Sequence, residues 1–101
     1  MQPSFLSLYG NRRIAYHLSE GKLPCVIFMG GFKSDMQGGK AMALEAFCKA
    51  RKQRFLRFDY TGHGESSGRF EDGTIGSWKQ DALEVIQTLA ADKNILVGSS
   101  M

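Results

Sequence analysis

Hydrophobic and polar positions change period along this chain so that strands alternate with helices. Ser4 to Leu8 reads as a short strand, Tyr9-Gly10-Asn11-Arg12 as a turn, and Arg13 to Leu18 as a second strand, together an antiparallel hairpin. Glu20-Gly21-Lys22-Leu23-Pro24 breaks the pattern. Cys25-Val26-Ile27-Phe28-Met29 follows as a continuous apolar run ending in Gly30-Gly31. A run apolar on both faces suits a central parallel strand. Lys40 to Lys52 has helical spacing, with Ala41, Leu44, Phe47 and Cys48 on one face. Phe55 to Phe58 is the next strand and ends at Asp59, and the glycine-rich stretch from Tyr60 to Gly73 reads as a long loop. Thr74 to Ala91 is a second helix. Its apolar stripe is Ile75, Trp78, Ala82, Val85, Ile86 and Leu89, and its polar face includes Lys79, Gln80 and Glu84. Ile95-Leu96-Val97 is the last strand. The order β-β-β-α-β-α-β predicts an α/β fold with a mostly parallel sheet.

Composition narrows this picture only a little. At 101 residues the chain is one domain at most, and 43% hydrophobic residues suit an ordinary globular core. No apolar run is long enough to span a bilayer. Met1-Gln2-Pro3-Ser4-Phe5-Leu6 lacks the basic and apolar regions of a secretory signal, and no Arg-rich transit peptide is present, so a cytoplasmic location is expected. Cys25 and Cys48 lie in apolar surroundings and read as two buried thiols. The net charge of +3 gathers at Lys49, Arg51, Lys52, Arg54 and Arg57. These positions read as a solvated surface cluster that complements a helix C-terminus, with too little charge and too few interleaved aromatics for nucleic acid.

The chemistry lies at strand ends. Gly98-Ser99-Ser100-Met101 follows an apolar strand and matches the first four positions of G-x-S-x-G. That motif is the sharp strand-to-helix turn that exposes a nucleophilic serine. Spacing from Gly98 selects Ser100 over Ser99, the alternative being a plain turn serine. A serine hydroxyl needs a base and a stabilised oxyanion to act. Gly30-Gly31-Phe32 closes the third strand, where a backbone N–H is donated to the oxyanion in such an architecture. Phe32 and Met101 are the candidate donors, against an ordinary glycine turn.

Other motifs fail their tests. Gly62-His63-Gly64 is not a dinucleotide loop, because Ser67 stands where the third glycine is required. Gly38-Gly39-Lys40 is not a phosphate loop, because Ser34 and Ala41 break its pattern. His63 reads as a loop residue rather than a catalytic base, since the base should follow the nucleophile in the chain. Asp59 is expected to accept hydrogen bonds from loop N–H groups, and His17 to be an exposed residue of an edge-type strand. Nothing has metal-ligand spacing, and no cofactor is implied.

Taken together, Gly30-Gly31-Phe32, Asp59 to Ser66 and Gly98-Ser99-Ser100-Met101 resemble the alpha/beta-hydrolase superfamily. Gly31 to Met36, Lys40-Ala41, Glu45 to Cys48, Arg57 to Tyr60, Gly73 to Trp78 and Ile95 to Met101 narrow the likeness. They resemble the mitochondrial acyl-protein (palmitoyl) thioesterase subfamily, also described as mycophenolic acid acyl-glucuronide esterases, and its bacterial relatives. The resemblance implies that residues 1–101 are the N-terminal portion of a single alpha/beta-hydrolase domain, cut at the nucleophile turn. It implies Ser100 as nucleophile, Phe32 and Met101 as oxyanion donors, and Gly30, Gly31, Asp59, Gly62, Gly64 and Gly98 as loop-shaping residues. Gly30 stands where many superfamily members carry a histidine.

The implied activity is cleavage of carboxylic esters or thioesters through an acyl-enzyme, with a small molecule or acyl-protein as substrate. No nucleic acid or membrane span is implied, and the oligomeric state stays open. The family's acid and histidine lie beyond residue 101 and its fifth strand is central, so the segment alone, with Ile95, Leu96 and Val97 left on an open edge, is expected to be unstable and essentially inactive. A bacterial cytoplasmic origin is expected, or the mitochondrial matrix for a eukaryotic protein. A non-catalytic interaction module, and peptidase or perhydrolase chemistry on the same fold, are the alternatives.

Overall fold

A computed structural model of the chain describes residues 2–8, 10–31, 35–89 and 92–98. Five strands and two helices follow one another: β1 (Ser4–Leu8), β2 (Arg12–Ser19), β3 (Lys22–Met29), α1 (Gly39–Ala50), β4 (Gln53–Phe58), α2 (Ile75–Leu89) and β5 (Asn94–Gly98). They form one sheet in the order β1-β2-β4-β3-β5. The β1–β2 hairpin turns through Gly10 and Asn11, both at positive φ, and pairs antiparallel to β4 through β2. β3 runs parallel to both β4 and β5. A mixed α/β sheet, parallel where the apolar run lies, is what the sequence pattern predicts.

Each helix covers one face. The α2 face is built on Ile14, Cys25, Ile27, Leu56, Phe58, Tyr60, Trp78, Ala82 and Val85. The α1 face is built on Val26, Phe28, Ala41, Cys48 and Phe55. Alternation along β3 and β4 sends successive side chains to these two cores, which is why both strands read as unbroken apolar runs. Phe55, Ile27 and Leu56 are fully buried, and each such side chain contributes roughly 1.5–3 kcal/mol. Cys25 and Cys48 are both buried and free, on opposite faces of the sheet. A raised thiol pKa follows at each, with burial as its main cause.

Several boundaries and faces differ from the sequence reading. β3 starts at Lys22 rather than Cys25, because Lys22 pairs with Gln53 before the register shifts ahead of Val26. A 3-10 turn, Phe70–Asp72, interrupts the long loop. Thr74 lies just outside α2 and caps it reciprocally: its N–H donates to Ser77 Oγ at 2.8 Å, and Ser77 N–H donates to Thr74 Oγ1 at 3.0 Å. Phe47 is 58% exposed, and Glu45 takes the buried position on α1 instead. Ile75 is likewise exposed at the start of α2. Arg57 is not part of a solvated cluster but is buried against Glu45. His17 is half-buried on an interior strand rather than exposed on an edge, since β2 lies between β1 and β4.

Candidate active site

The parallel register carries the candidate site. Met29 lies level with Gly98 on β5 and with Phe58 on β4. The ends of three strands therefore open at one edge of the sheet: Gly30-Gly31 after β3, Asp59-Tyr60 after β4, and Gly98 at the end of β5. Ligand sites in such sheets lie outside the carboxyl ends of the strands. A hollow of about 280 Å³ opens there, lined by Met29, Gly30, Tyr60, Trp78, Ala82 and Gly98 among others. Ser100, Phe32 and Met101, the predicted nucleophile and oxyanion donors, lie outside the described residues.

Asp59 organises the turn below this opening. It is 1% exposed. Its Oδ1 accepts the Met36 N–H at 2.7 Å, and its Oδ2 accepts the Glu65 N–H at 3.0 Å. Its main-chain carbonyl accepts the Ser66 hydroxyl at 2.6 Å, and its own N–H donates to Ala15 O at 3.0 Å. Burial pushes the Asp59 carboxyl above its ordinary range, and the two N–H donors only partly offset that. The role the sequence suggested, accepting loop N–H groups, is the one Asp59 has.

The glycines of this loop answer to close packing. Gly62 has φ +75, and a Cβ there would lie 2.8 Å from the Arg69 carbonyl. Gly62 N–H closes the loop by donating to Ser67 O at 2.8 Å. His63 is 4% exposed, with its ring edge-on to Tyr60, Phe70 and Trp78. Its Nδ1 lies 3.2 Å from the Thr61 carbonyl. A ring held in this aromatic stack is a loop anchor, consistent with the place of His63 ahead of the predicted nucleophile.

Two polar groups escaped the sequence reading. Asp81, fully buried on α2, accepts both the N–H (2.9 Å) and the hydroxyl (2.7 Å) of Thr61 and pairs with Arg12. Trp78 Nε1–H adds a bond to Thr61 O at 3.0 Å. Arg57 donates from Nε to Glu45 Oε2 at 2.8 Å and from Nη1 to Met36 O at 3.0 Å. A charged residue inside a helical or strand pattern reads as surface, so no local signal marked these as buried. Among the described residues no group of three or more His, Cys, Asp or Glu could hold a metal ion.

Comparison with known proteins places this geometry. The chain is 46% identical over 98 residues to the mitochondrial palmitoyl-protein thioesterase ABHD10 of Bos taurus. That match takes in 97% of this chain and 32% of the relative. The structure superposes on mouse alpha/beta hydrolase domain-containing protein 10 with a TM-score of 0.95 at 42% identity, covering 99% of this chain and 40% of the other. The fold is that of the N-terminal part of an alpha/beta hydrolase. A provisionally assigned hydrolase from Agrobacterium vitis S4 gives a TM-score of 0.88 at 38% identity, with the same coverage of each chain. The ABHD10 thioesterases are thus homologues, and the chain spans about a third of their length. No family model matches the chain.

Proposed function

We propose that this chain is the nucleophile-bearing part of a serine hydrolase that cleaves carboxylic esters or thioesters. The observation that carries this reading is the register of Met29 with Gly98, which brings Gly30-Gly31 and Gly98, the residue that precedes Ser99-Ser100 in the sequence, to the same sheet edge. In the proposed reaction Ser100 Oγ attacks the acyl carbonyl, and a histidine contributed from outside these residues takes its proton. Backbone N–H groups of Phe32 and Met101 receive the oxyanion of the tetrahedral intermediate. The alcohol or thiol departs with a proton, leaving the acyl group on Ser100, and water releases it as the acid. Homology to palmitoyl-protein thioesterases supports a fatty acyl thioester on protein as substrate. The mitochondrial names of those relatives favour the matrix for a eukaryotic source, and the cytoplasm is the counterpart in a bacterium.

The test uses the complete protein that contains this segment. It should hydrolyse a palmitoyl-peptide thioester and take up a fluorophosphonate probe. Ser100→Ala should remove probe uptake and lower kcat at least about 10³-fold. Equal turnover by Ser100→Ala would reject the reading. Expressed as residues 1–101, the segment is expected to show no turnover, since neither described histidine is among the residues lining the strand-end hollow.

A further inference from the structure

Met36 is fully buried where the loop leaving β3 comes back to the sheet. Its backbone is gripped on both sides by neighbours on β4 and its end. The N–H donates to Asp59 Oδ1 at 2.7 Å, and the carbonyl accepts from Arg57 Nη1 at 3.0 Å. Arg57 is 5% exposed and sits at the centre of the sheet, level with Phe28 on β3 and His17 on β2. Its guanidinium is aimed by Glu45 on α1, with Nε at 2.8 Å from Oε2 and Nη2 at 3.5 Å from Oε1. A planar fork of donors grips a carboxylate along one side and a carbonyl along another in one fixed geometry. A lysine at this position has a single ammonium to share.

Buried ion pairs contribute little net stability, because desolvation offsets their attraction. What this pair supplies is a fixed direction for one guanidinium N–H. We propose that Arg57, aimed by Glu45, is a positioning residue for the acyl transfer. Together with Asp59 it fixes Met36, which follows Gly30-Gly31 by a few residues in the sequence, and this anchor is what the proposed oxyanion donation draws on. This rests on the serine-hydrolase reading above. It assigns a function to a β4–α1 contact on the side of the sheet away from α2.

The experiment takes the complete protein with Arg57→Met, which keeps the apolar stem, and Glu45→Gln, which keeps the volume of the partner. Hydrogen exchange and ester kinetics are measured on both. Exchange in peptides covering residues 30–37 should rise about tenfold in Arg57→Met, with β1 and α2 peptides unchanged. kcat should fall about 10–100-fold with little change in KM. The rate ratio of an oxo-ester to its thiono-ester should fall about fivefold, because sulfur draws less on oxyanion donors. Glu45→Gln should move all three in the same direction by less. Unchanged exchange at 30–37 overturns the anchoring outright. Faster exchange with unchanged kinetics overturns the link to catalysis. Faster exchange in a protein whose unsubstituted form cleaves no ester or thioester leaves the anchor standing and rejects the serine-hydrolase reading.

Discussion

Gly64 lies directly against the Asp59 carboxylate: a Cβ built at Gly64 would enter the space of Oδ2 and come within 2.7 Å of Oδ1. The backbone there is also left-handed, at φ +49. Any side chain at 64 must displace the carboxylate that holds the Met36 and Glu65 N–H groups. Gly64→Ala should therefore destabilise by roughly 2–3 kcal/mol, combining a strained φ with a broken buried hydrogen-bond pair. Denaturant unfolding checks this. A loss below about 0.5 kcal/mol would mean that Asp59 has room to move.

The Arg12–Asp81–Thr61 connection ties the first hairpin, α2 and the loop after β4 together. Asp81 is fully buried, and Arg12 also reaches Glu84. Asp81→Ala strands the Thr61 N–H and should cost about 3 kcal/mol. Asp81→Asn keeps one acceptor and should cost less. Arg12→Met should be milder still, because Arg12 remains partly exposed and Asp81 keeps both Thr61 donors. A double-mutant cycle between positions 12 and 81 isolates the pair, and a coupling near zero would show that Asp81 acts through Thr61 alone.

His17 makes stability depend on mildly acidic pH. It lies opposite Arg57 across the β2–β4 pairing. Burial lowers its pKa, the Arg57 charge lowers it further, and Glu45 and Glu65 only partly offset this. A base whose folded pKa is depressed takes up its proton first in the unfolded chain. Stability is thus lost as pH falls from the ordinary imidazole range, about 6.5, toward the lower folded value. Glu45 remains ionised across this window: burial pushes its carboxyl up, but the Arg57 hydrogen bond and the Arg57 and Lys49 charges outweigh it and hold it low. Asp59, with a raised pKa, acts in the opposite sense, gaining stability as pH falls, so the comparison has to be between variants. His17→Gln should flatten the decline in denaturant midpoint between about pH 7.5 and pH 5. Parallel curves for the two proteins would remove His17 from the account.

The elements were legible in the sequence because period and punctuation agreed. The Cys25–Met29 run marks a strand buried on two faces, and Gly30-Gly31 and Gly98 mark where strands end at the opening. Less legible was what the charges do. Arg57, Glu45 and Asp81 sit in strand and helix patterns that ordinarily place a charge at the surface. Their burial depends on partners 12 residues away for Arg57–Glu45 and 69 for Arg12–Asp81, and no local pattern encodes such a pairing. Phe47 failed for the converse reason. It has helical spacing with Ala41 and Leu44, but it faces a hollow of about 450 Å³ beside β5, with Phe28, Leu44 and Val97, rather than a closed core.

That hollow bears on how the 101-residue chain behaves by itself. β5 pairs with β3 on one side, and no described strand lies along the other. Ile95 and Leu96 are 47% and 53% exposed and point to opposite faces of the sheet. Phe47 of α1 and Ile75 and Leu83 of α2 leave apolar groups uncovered on the flanking layers. An open edge strand with apolar groups on both faces is a template for another chain. The segment should therefore self-associate at micromolar concentration and unfold without a sharp cooperative transition. A lysine on either face of β5 should oppose both stacking and edge pairing. Ile95→Lys with Leu96→Lys should lower light scattering several-fold. A monodisperse, cooperatively melting 101-residue chain without these substitutions would overturn this reading of the β5 edge.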